Sequence, residues 1–256
     1  MIPVKMDESI PQQSPTFYIG TSGWTYDHWK GGFYPEKLPK SRWFEYYSAQ
    51  FNAVEINATF YRAFKDQTYL KWKAQAPRGF GYVLKAPKMI SHLKLLKDTE
   101  TDIHTFCASA DLLEDKFQMI LLQVSPSLPY DFGRLRSALL SFSDPARVAV
   151  EFRNDRWFNP QTEHLLKEVG ACFCNADSPS QKLTDYLTSE RAYLRLHGRI
   201  HWYSTTYSNE ELREIASLTR SLVSRGAKQV YIFFNNDFGG FAPENARDLK
   251  MILAEA

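Results

Sequence analysis

Eight short apolar runs, at 17–21, 51–57, 80–85, 119–124, 148–153, 171–176, 192–197 and 230–234, constrain this chain more than any other feature. Each is followed by a stretch read as helix, and no break in composition divides the series. Eight strand-then-helix units predict a single-domain α/β fold, the (β/α)8 TIM barrel. An open doubly wound sheet is the competitor, but no Gly-x-Gly-x-x-Gly and no Gly-x-x-x-x-Gly-Lys follows any run. Helices are expected at 41–47, at 67–76 with Asp66 as cap, and at 101–116. Others should run from Asn159-Pro160 to Gly170, from a Ser208/Glu211 capping box to Gly226, and over 243–255. Residues 1–16 are expected to form a flexible extension, and 17–256 the barrel.

The fifth run points to a site. Val148, Val150 and Phe152 alternate with Ala149, Glu151 and Arg153, so one strand face is apolar and the other carries a carboxylate and a guanidinium. Charges facing the interior of a barrel are costly unless they pair or meet a ligand. The other runs repeat the pattern. Glu55, Asn57, Lys85, Gln123, Asp177, Arg195, His197 and Asn235, together with Glu151 and Arg153, sit at or just past strand C-termini. In a barrel these ends share one face, where active sites lie.

Several blocks also resemble the YecE-like domain-of-unknown-function family. They are Ile19-Gly20-Thr21-Ser22-Gly23-Trp24 with Phe33-Tyr34-Pro35, Val54-Glu55-Ile56-Asn57 with Thr59-Phe60-Tyr61-Arg62, Val150-Glu151-Phe152-Arg153, Arg195-Leu196-His197-Gly198-Arg199 and Phe234-Asn235-Asn236. The resemblance spans most of the chain. It implies a TIM barrel and no particular activity. Two loops depart from the family pattern, at Gln123-Val124-Ser125-Pro126 and Ser91-His92-Leu93.

Composition narrows the function classes. A chain of 256 residues with 44% apolar and 15% aromatic content can bury a substantial core. A formal charge of +2 does not mark a bulk nucleic-acid or membrane binder, although it permits a local basic patch. The odd set Cys107, Cys172 and Cys174 argues for reduced, buried, structural thiols. With no stretch of signal-peptide or membrane-span length, a cytoplasmic protein is expected, and no cofactor is implied.

Four constellations compete for the mouth. Glu55 and Glu151 have the residue types of a glycosidase pair, which needs carboxyls about 5–10 Å apart with pKa values pushed apart. The weightier alternative is a structural network in which Arg153, Arg195 or Lys85 pairs with each carboxylate. Glu151, Asp177 and His197 are metal-ligand types, but no spacing signature supports them and the neighbouring arginines repel a cation, so no metal site is assigned. Lys85, Lys88, Arg153, Arg156, Arg195 and Arg199 could clamp a phosphate or carboxylate, or could simply balance the acidic residues. Tyr61, His92, Trp157 and Tyr203 join Trp24, Trp29, Trp202 and Tyr207 in the loops above.

The resulting expectation is a hydrolase-like acid/base enzyme for a small anionic or sugar-like ligand. Glu55 and Glu151 would be its acid/base pair, with Asp177 and His197 as auxiliaries. Arg153, Arg195 and Lys85 would form the anion clamp, and Asn57, Gln123, Asn235 and Asn236 would orient the ligand. A nucleic-acid-binding or endonuclease-like repair protein and a non-catalytic ligand-binding protein are the alternatives.

Overall fold

The structure is a computed structural model, and it describes residues 14–255. Eight parallel strands form one sheet in the order β1-β8-β7-β6-β5-β4-β3-β2, curled into a nearly closed barrel. They are β1 (Thr16–Thr21), β2 (Ala53–Ile56), β3 (Gly81–Lys85), β4 (Phe117–Gln123), β5 (Val148–Glu151), β6 (Cys172–Asp177), β7 (Arg191–Leu196) and β8 (Gln229–Phe234). All eight expected runs are therefore strands of a TIM-type barrel. The expected 1–16 extension falls outside the described residues except for its last three, of which Thr16 already pairs with Gln229.

Period two sorts the strand residues into two cores. Ala53, Val83, Met119, Leu121, Ala149, Cys172, Cys174, Tyr193, Tyr231 and Phe233 pack together inside the barrel. Val54, Val148, Val150, Phe152, Phe173 and Leu194 belong to the larger layer between strands and helices. The three cysteines are free and buried, two of them in the barrel interior.

The two ends of the strand order meet by side chains. Tyr47, on α1 (Trp43–Gln50), accepts at its hydroxyl from Thr21 N at 2.9 Å and donates to Ala53 O at 3.0 Å. Asn52 bridges the same seam, accepting from Ile19 N at 3.0 Å and donating to Phe17 O at 2.7 Å. These bonds satisfy backbone groups that a β1–β2 ladder would otherwise take, and each such group left unpaired costs about 1–3 kcal/mol. The approach is close enough that a Cβ on Gly20 would lie 2.0 Å from Ala53 O, so only glycine fits there.

The outer layer holds α2 (Ala58–Tyr61), α3 (Asp66–Gln75), α4 (Glu100–Asp111), α5 (Phe132–Leu140), α6 (Pro160–Val169), α7 (Asn209–Ser224) and α8 (Phe241–Ala254). Asn159 caps α6 ahead of Pro160, and Gly170 ends it in the left-handed region at φ 73°, as expected. The capping box at Ser208 and Glu211 forms as expected. Asp66 lies inside the first turn of α3 and makes no side-chain cap, a shift of one residue from its expected role.

The expectation of a helix after every strand fails after β6. Residues 178–190 run as an irregular strap. The Asn175 Oδ1 on the outer face of β6 accepts from Tyr186 N and Thr184 Oγ1, and the Tyr186 ring stacks on Phe173 at 4.2 Å. The strap covers the apolar outer face of β6 without a helix: although Ser178-Pro179 has the same cap-then-proline order as Asn159-Pro160, residues 178–181 close a turn, with Gln181 N donating to Ser178 O at 3.1 Å and Ser178 N to Gln181 O at 2.9 Å.

Candidate active site

The interior parity of each strand, extended one or two residues beyond the apolar layer, generates the mouth. Ala53 leads to Glu55, Val83 to Lys85, Leu121 to Gln123, Ala149 to Glu151, Tyr193 to Arg195 and His197, and Phe233 to Asn235. On β1 the same parity carries Tyr18 and Gly20 to Ser22. The side chains therefore meet because seven neighbouring strands end at one level.

Arg195, 1% exposed, is the centre of this layer. Its Nε donates to both Glu55 oxygens at 3.0 and 3.1 Å, and Nη2 donates to Glu55 Oε1 at 2.8 Å and Asn57 Oδ1 at 3.3 Å. Nη1 donates to Glu151 Oε2 at 3.0 Å and faces His197 Nε2 at 3.4 Å. A guanidinium has five N–H donors, and these contacts take up all five. Arg195 thus has nothing left for an incoming anion, which corrects its expected role as a clamp: it holds the two carboxylates apart and in place.

Both carboxylates are fully buried. Burial acts to raise the Glu55 pKa, but Arg195 and hydrogen bonds from Ser22 and Tyr193, each at 2.6 Å, hold it below the ordinary value. Burial opposes ionisation of Glu151 too, yet Arg153, Arg195 and His197 pull it well below the usual range. At neutral pH both are ionised, so neither carries a proton to donate. A glycosidase pair requires one raised carboxyl, and this pair has none.

His197 is buried between Arg153 Nη2 at 2.9 Å and the Asn235 amide at 3.0 Å, with Glu151 Oε1 3.4 Å from its Nε2. Burial and then the charge on Arg195 push its pKa down to about 4, so the ring is neutral at physiological pH. Arg153 pairs with Glu151 Oε1 and lies under the Trp202 ring, 4.9 Å from its centroid. Among the described residues, its Nε and Nη1 donate to no protein acceptor.

Lys85 differs from its neighbours. Its Nζ donates to Gln123 Oε1 at 3.0 Å and sits 4.2 Å from the centroid of Phe60, and among the described residues no carboxylate lies within ion-pair distance. Gln123 passes the contact on, donating from Nε2 to Glu151 Oε2 at 3.1 Å. Burial, then the charge on Arg195, lowers the Lys85 pKa from 10.5 to about 8. The segment after β3 is irregular as well, with a π-turn at Met89–Leu93 and left-handed backbone at Leu95, Leu96 and Asp98. His92 lies in that π-turn, half-buried, with its ring 5.0 Å from Phe60.

Three expected site residues lie elsewhere. Asp177 has the outer parity of β6, and its carboxylate accepts from Arg199 Nε at 2.9 Å; Arg199 also meets Glu214 at 2.7 Å. Trp157 is fully buried and stacks on Phe152 at 5.2 Å, in the strand–helix layer. Asn236 has the outer parity of β8 and donates to Asn245 on α8 at 2.8 Å. The grouping of Glu151, Asp177 and His197 is therefore not assembled, and among the described residues no three His, Cys, Asp or Glu side chains converge to hold a metal. Tyr203 does reach the mouth, 5.6 Å from the His197 ring, while Tyr61 is an exposed rim residue packed on Phe60. Trp202, expected among the loop aromatics, reaches the mouth beside His197 and Arg153, whereas Ser22, Tyr193 and Phe60 were not among the expected site residues.

Fold and site together define a single-chain parallel α/β barrel with a buried ion-pair layer at its C-terminal mouth. Residues 18–256 match the family described as "Protein of unknown function DUF72", and the chain belongs to that family. It is 27% identical to the UPF0759 protein YunF of Bacillus subtilis (strain 168), over 92% of this chain and 94% of that one. A crystal structure of a DUF72 family protein from Thermotoga maritima MSB8 superposes with a TM-score of 0.84 at 31% identity, covering 93% of this chain and 99% of the other. A second, from Enterococcus faecalis V583, has a TM-score of 0.80 at 21% identity over 93% and 96%, and shares the fold. No helix among the described residues is long and apolar enough to cross a membrane.

Proposed function

We propose that the chain is an enzyme that takes a small anionic ligand, phosphorylated or carboxylated and with hydroxyls to be oriented, into the barrel mouth and acts on it by proton transfer. The observation that carries this reading is the charge inventory. Lys85, Arg153 and Arg195 face only Glu55 and Glu151, and Lys85 has no carboxylate of its own. A lysine 7% exposed with one neutral amide acceptor keeps most of its hydrogen-bonding capacity unused, a costly state that an anionic ligand relieves. Arg153 adds the unused N–H groups of its Nε and Nη1. Asn235, Asn57 and Gln123 supply the amides that would orient hydroxyl groups. The proton-handling group is then Lys85, the one member of the layer poised close to neutrality, with Glu55 and Glu151 as fixed negative charges.

Thermal unfolding with inorganic phosphate, sugar phosphates, neutral sugars and short oligonucleotides tests the reading. A phosphate-bearing ligand is expected to raise the Tm of the wild type by mass action. The rise should vanish in Lys85→Met and Arg153→Met and persist in Arg199→Ala. Equal stabilisation of the wild type and Lys85→Met would sink it. The exposed aromatics Tyr61, Trp202 and Tyr203 favour a second reading, a nucleic-acid strand whose bases stack on the rim. That reading requires oligonucleotide affinity that falls steeply with salt.

A further inference from the structure

We propose that Lys85 is the nucleophile of the mouth, condensing through Nζ with the carbonyl carbon of an anionic aldehyde or ketone to form an imine. The proposal rests on the reading of the mouth as an anion site and adds to it a substrate class and a covalent step.

Three features of geometry set this amine apart. Its aliphatic stem leaves the end of β3 inside the barrel, so Nζ is held at the mouth by strand backbone and not by a flexible loop. Its surroundings are the Phe60 ring on one side and the Gln123 amide on the other, without a carboxylate to hold it as an ammonium ion. The charged groups that face it are Arg195, Glu151, Glu55 and Arg153, with His92 beyond the Phe60 ring. Glu55 and Glu151 are already engaged by Arg195. Desolvation together with adjacent cations is the arrangement that frees a lysine lone pair for attack. The lowered pKa of Lys85 agrees with this.

In the step itself, the neutral amine attacks the carbonyl carbon and the C=O pair moves to oxygen, which takes a proton to give a carbinolamine. Loss of that oxygen as water leaves an iminium on Nζ. Counted from the ammonium form, one lysine ammonium and one carbonyl give one iminium and one water, with no external oxidant or reductant. The departing hydroxyl takes its proton from solvent entering the mouth. Arg153, with its unused Nε and Nη1, would hold the anionic group of the same molecule.

The test is borohydride trapping followed by peptide mapping, with glyoxylate and glyceraldehyde 3-phosphate as probes. Near neutral pH, Lys85 should be reduced to a stable secondary amine at least tenfold faster than the exposed Lys37, Lys65, Lys71 and Lys228 on the same molecule, and excess inorganic phosphate should slow it. Because the other lysines are internal controls, the wild-type map decides the matter even if a variant folds poorly. Lys85→Arg should lose the adduct while keeping its far-UV circular dichroism. Labelling of Lys85 no faster than of the surface lysines overturns the imine. If phosphate still raises the wild-type Tm in that case, the anion reading survives alone. Fast labelling of Lys85 that phosphate neither slows nor accompanies with a Tm rise supports the imine and removes the anion reading.

Discussion

Two arginines four residues apart on one chain segment organise two different sets of carboxylates. Arg195 lies on the inner face of β7 and binds Glu55 from β2 and Glu151 from β5, neither of which neighbours β7 in the sheet. Arg199, just past the end of the strand, binds Asp177 from the adjacent β6 together with Glu211 and Glu214 on α7. The Arg195 side chain is 2% exposed, and that of Arg199 is 28% exposed. The first group lowers the pKa of its carboxylates despite total burial, whereas in the second burial outweighs Arg199 and the Asp177 pKa is raised. The buried Arg195, joined at Glu151 by Arg153 and at Glu55 by Ser22 and Tyr193, thus achieves what the partly exposed Arg199 does not. The inner group fixes a charged floor beneath the proposed ligand, and the outer group fastens a loop to a helix.

The sharpest way to break the contrast is to remove each arginine in turn. Arg195→Met leaves two buried carboxylates and the Asn57 amide without their common partner. Uncompensating a buried pair costs about 3–5 kcal/mol. Urea unfolding is expected to show a loss in that range, corresponding to a Tm drop of roughly 6–20 °C for a domain of this size. A loss below ~1 kcal/mol would mean that the carboxylates repartner with Arg153 or Lys85, and the floor would then be adaptable and not fixed.

A smaller effect sharpens the same point. If Glu55 depends on Arg195, then Glu55→Gln combined with Arg195→Met should be less destabilising than the sum of the two single changes, by a coupling of about 1–3 kcal/mol. Glu55→Gln combined with Arg199→Ala should be additive within about 0.5 kcal/mol, because those groups share no partner.

Acid titration separates the groups by sign. Glu55 and Glu151 have folded-state values below 4.5, so their contribution is complete above 4.5 and is lost as the pH falls through the folded values. Asp177, raised above 3.8, works in the opposite direction: its contribution is complete below 3.8 and is lost as the pH rises through its folded value. Unfolding free energies measured over roughly pH 3–7 should therefore fall less at the acid end in Glu151→Gln than in the wild type. In Asp177→Asn the decline with rising pH above 3.8 should be absent. Parallel changes in the two variants would show that the groups are not electrostatically distinct.

Much of this was legible in the sequence, because strand parity and strand ends are local properties. Glu55, Lys85, Gln123, Glu151, Arg195, His197 and Asn235 reach the mouth for the reason that placed them there: each continues the inward alternation of its own run. The same rule, applied strictly, separates Asp177 and Asn236 from the mouth. Cys174 and Phe233 face inward, so residues three further on face outward. It also picks out Ser22 just past β1 and Tyr193 on β7, both of which bind Glu55. The division of Arg195 between two carboxylates was not legible, because it depends on which strands face each other across the barrel. Nor was the lack of a carboxylate at Lys85, since the sequence offers several within reach. The missing helix after β6 had no local sign, since Ser178-Pro179 is itself a cap-then-proline pair; the strap that replaces it depends on Asn175 and Phe173 presenting an outer face for it to cover.

The smallest expected effect belongs to Arg199. Arg199→Ala removes three carboxylate contacts, two of them to residues on the exposed side of α7, where pairs contribute about 0–1 kcal/mol each. The Asp177 contact is the deeper one, but Asp177 retains a hydrogen bond from Tyr207 and already sits above its ordinary pKa, so it can relieve the loss by taking up a proton. The expected cost is therefore about 1 kcal/mol at neutral pH, shrinking as the pH falls, and phosphate-dependent stabilisation of the mouth should be unchanged. Should Arg199→Ala instead abolish that stabilisation, the outer group would be part of the ligand site. The loop after β7, carrying Trp202 and Tyr203 over His197, would then have to be counted as the connection between the two groups.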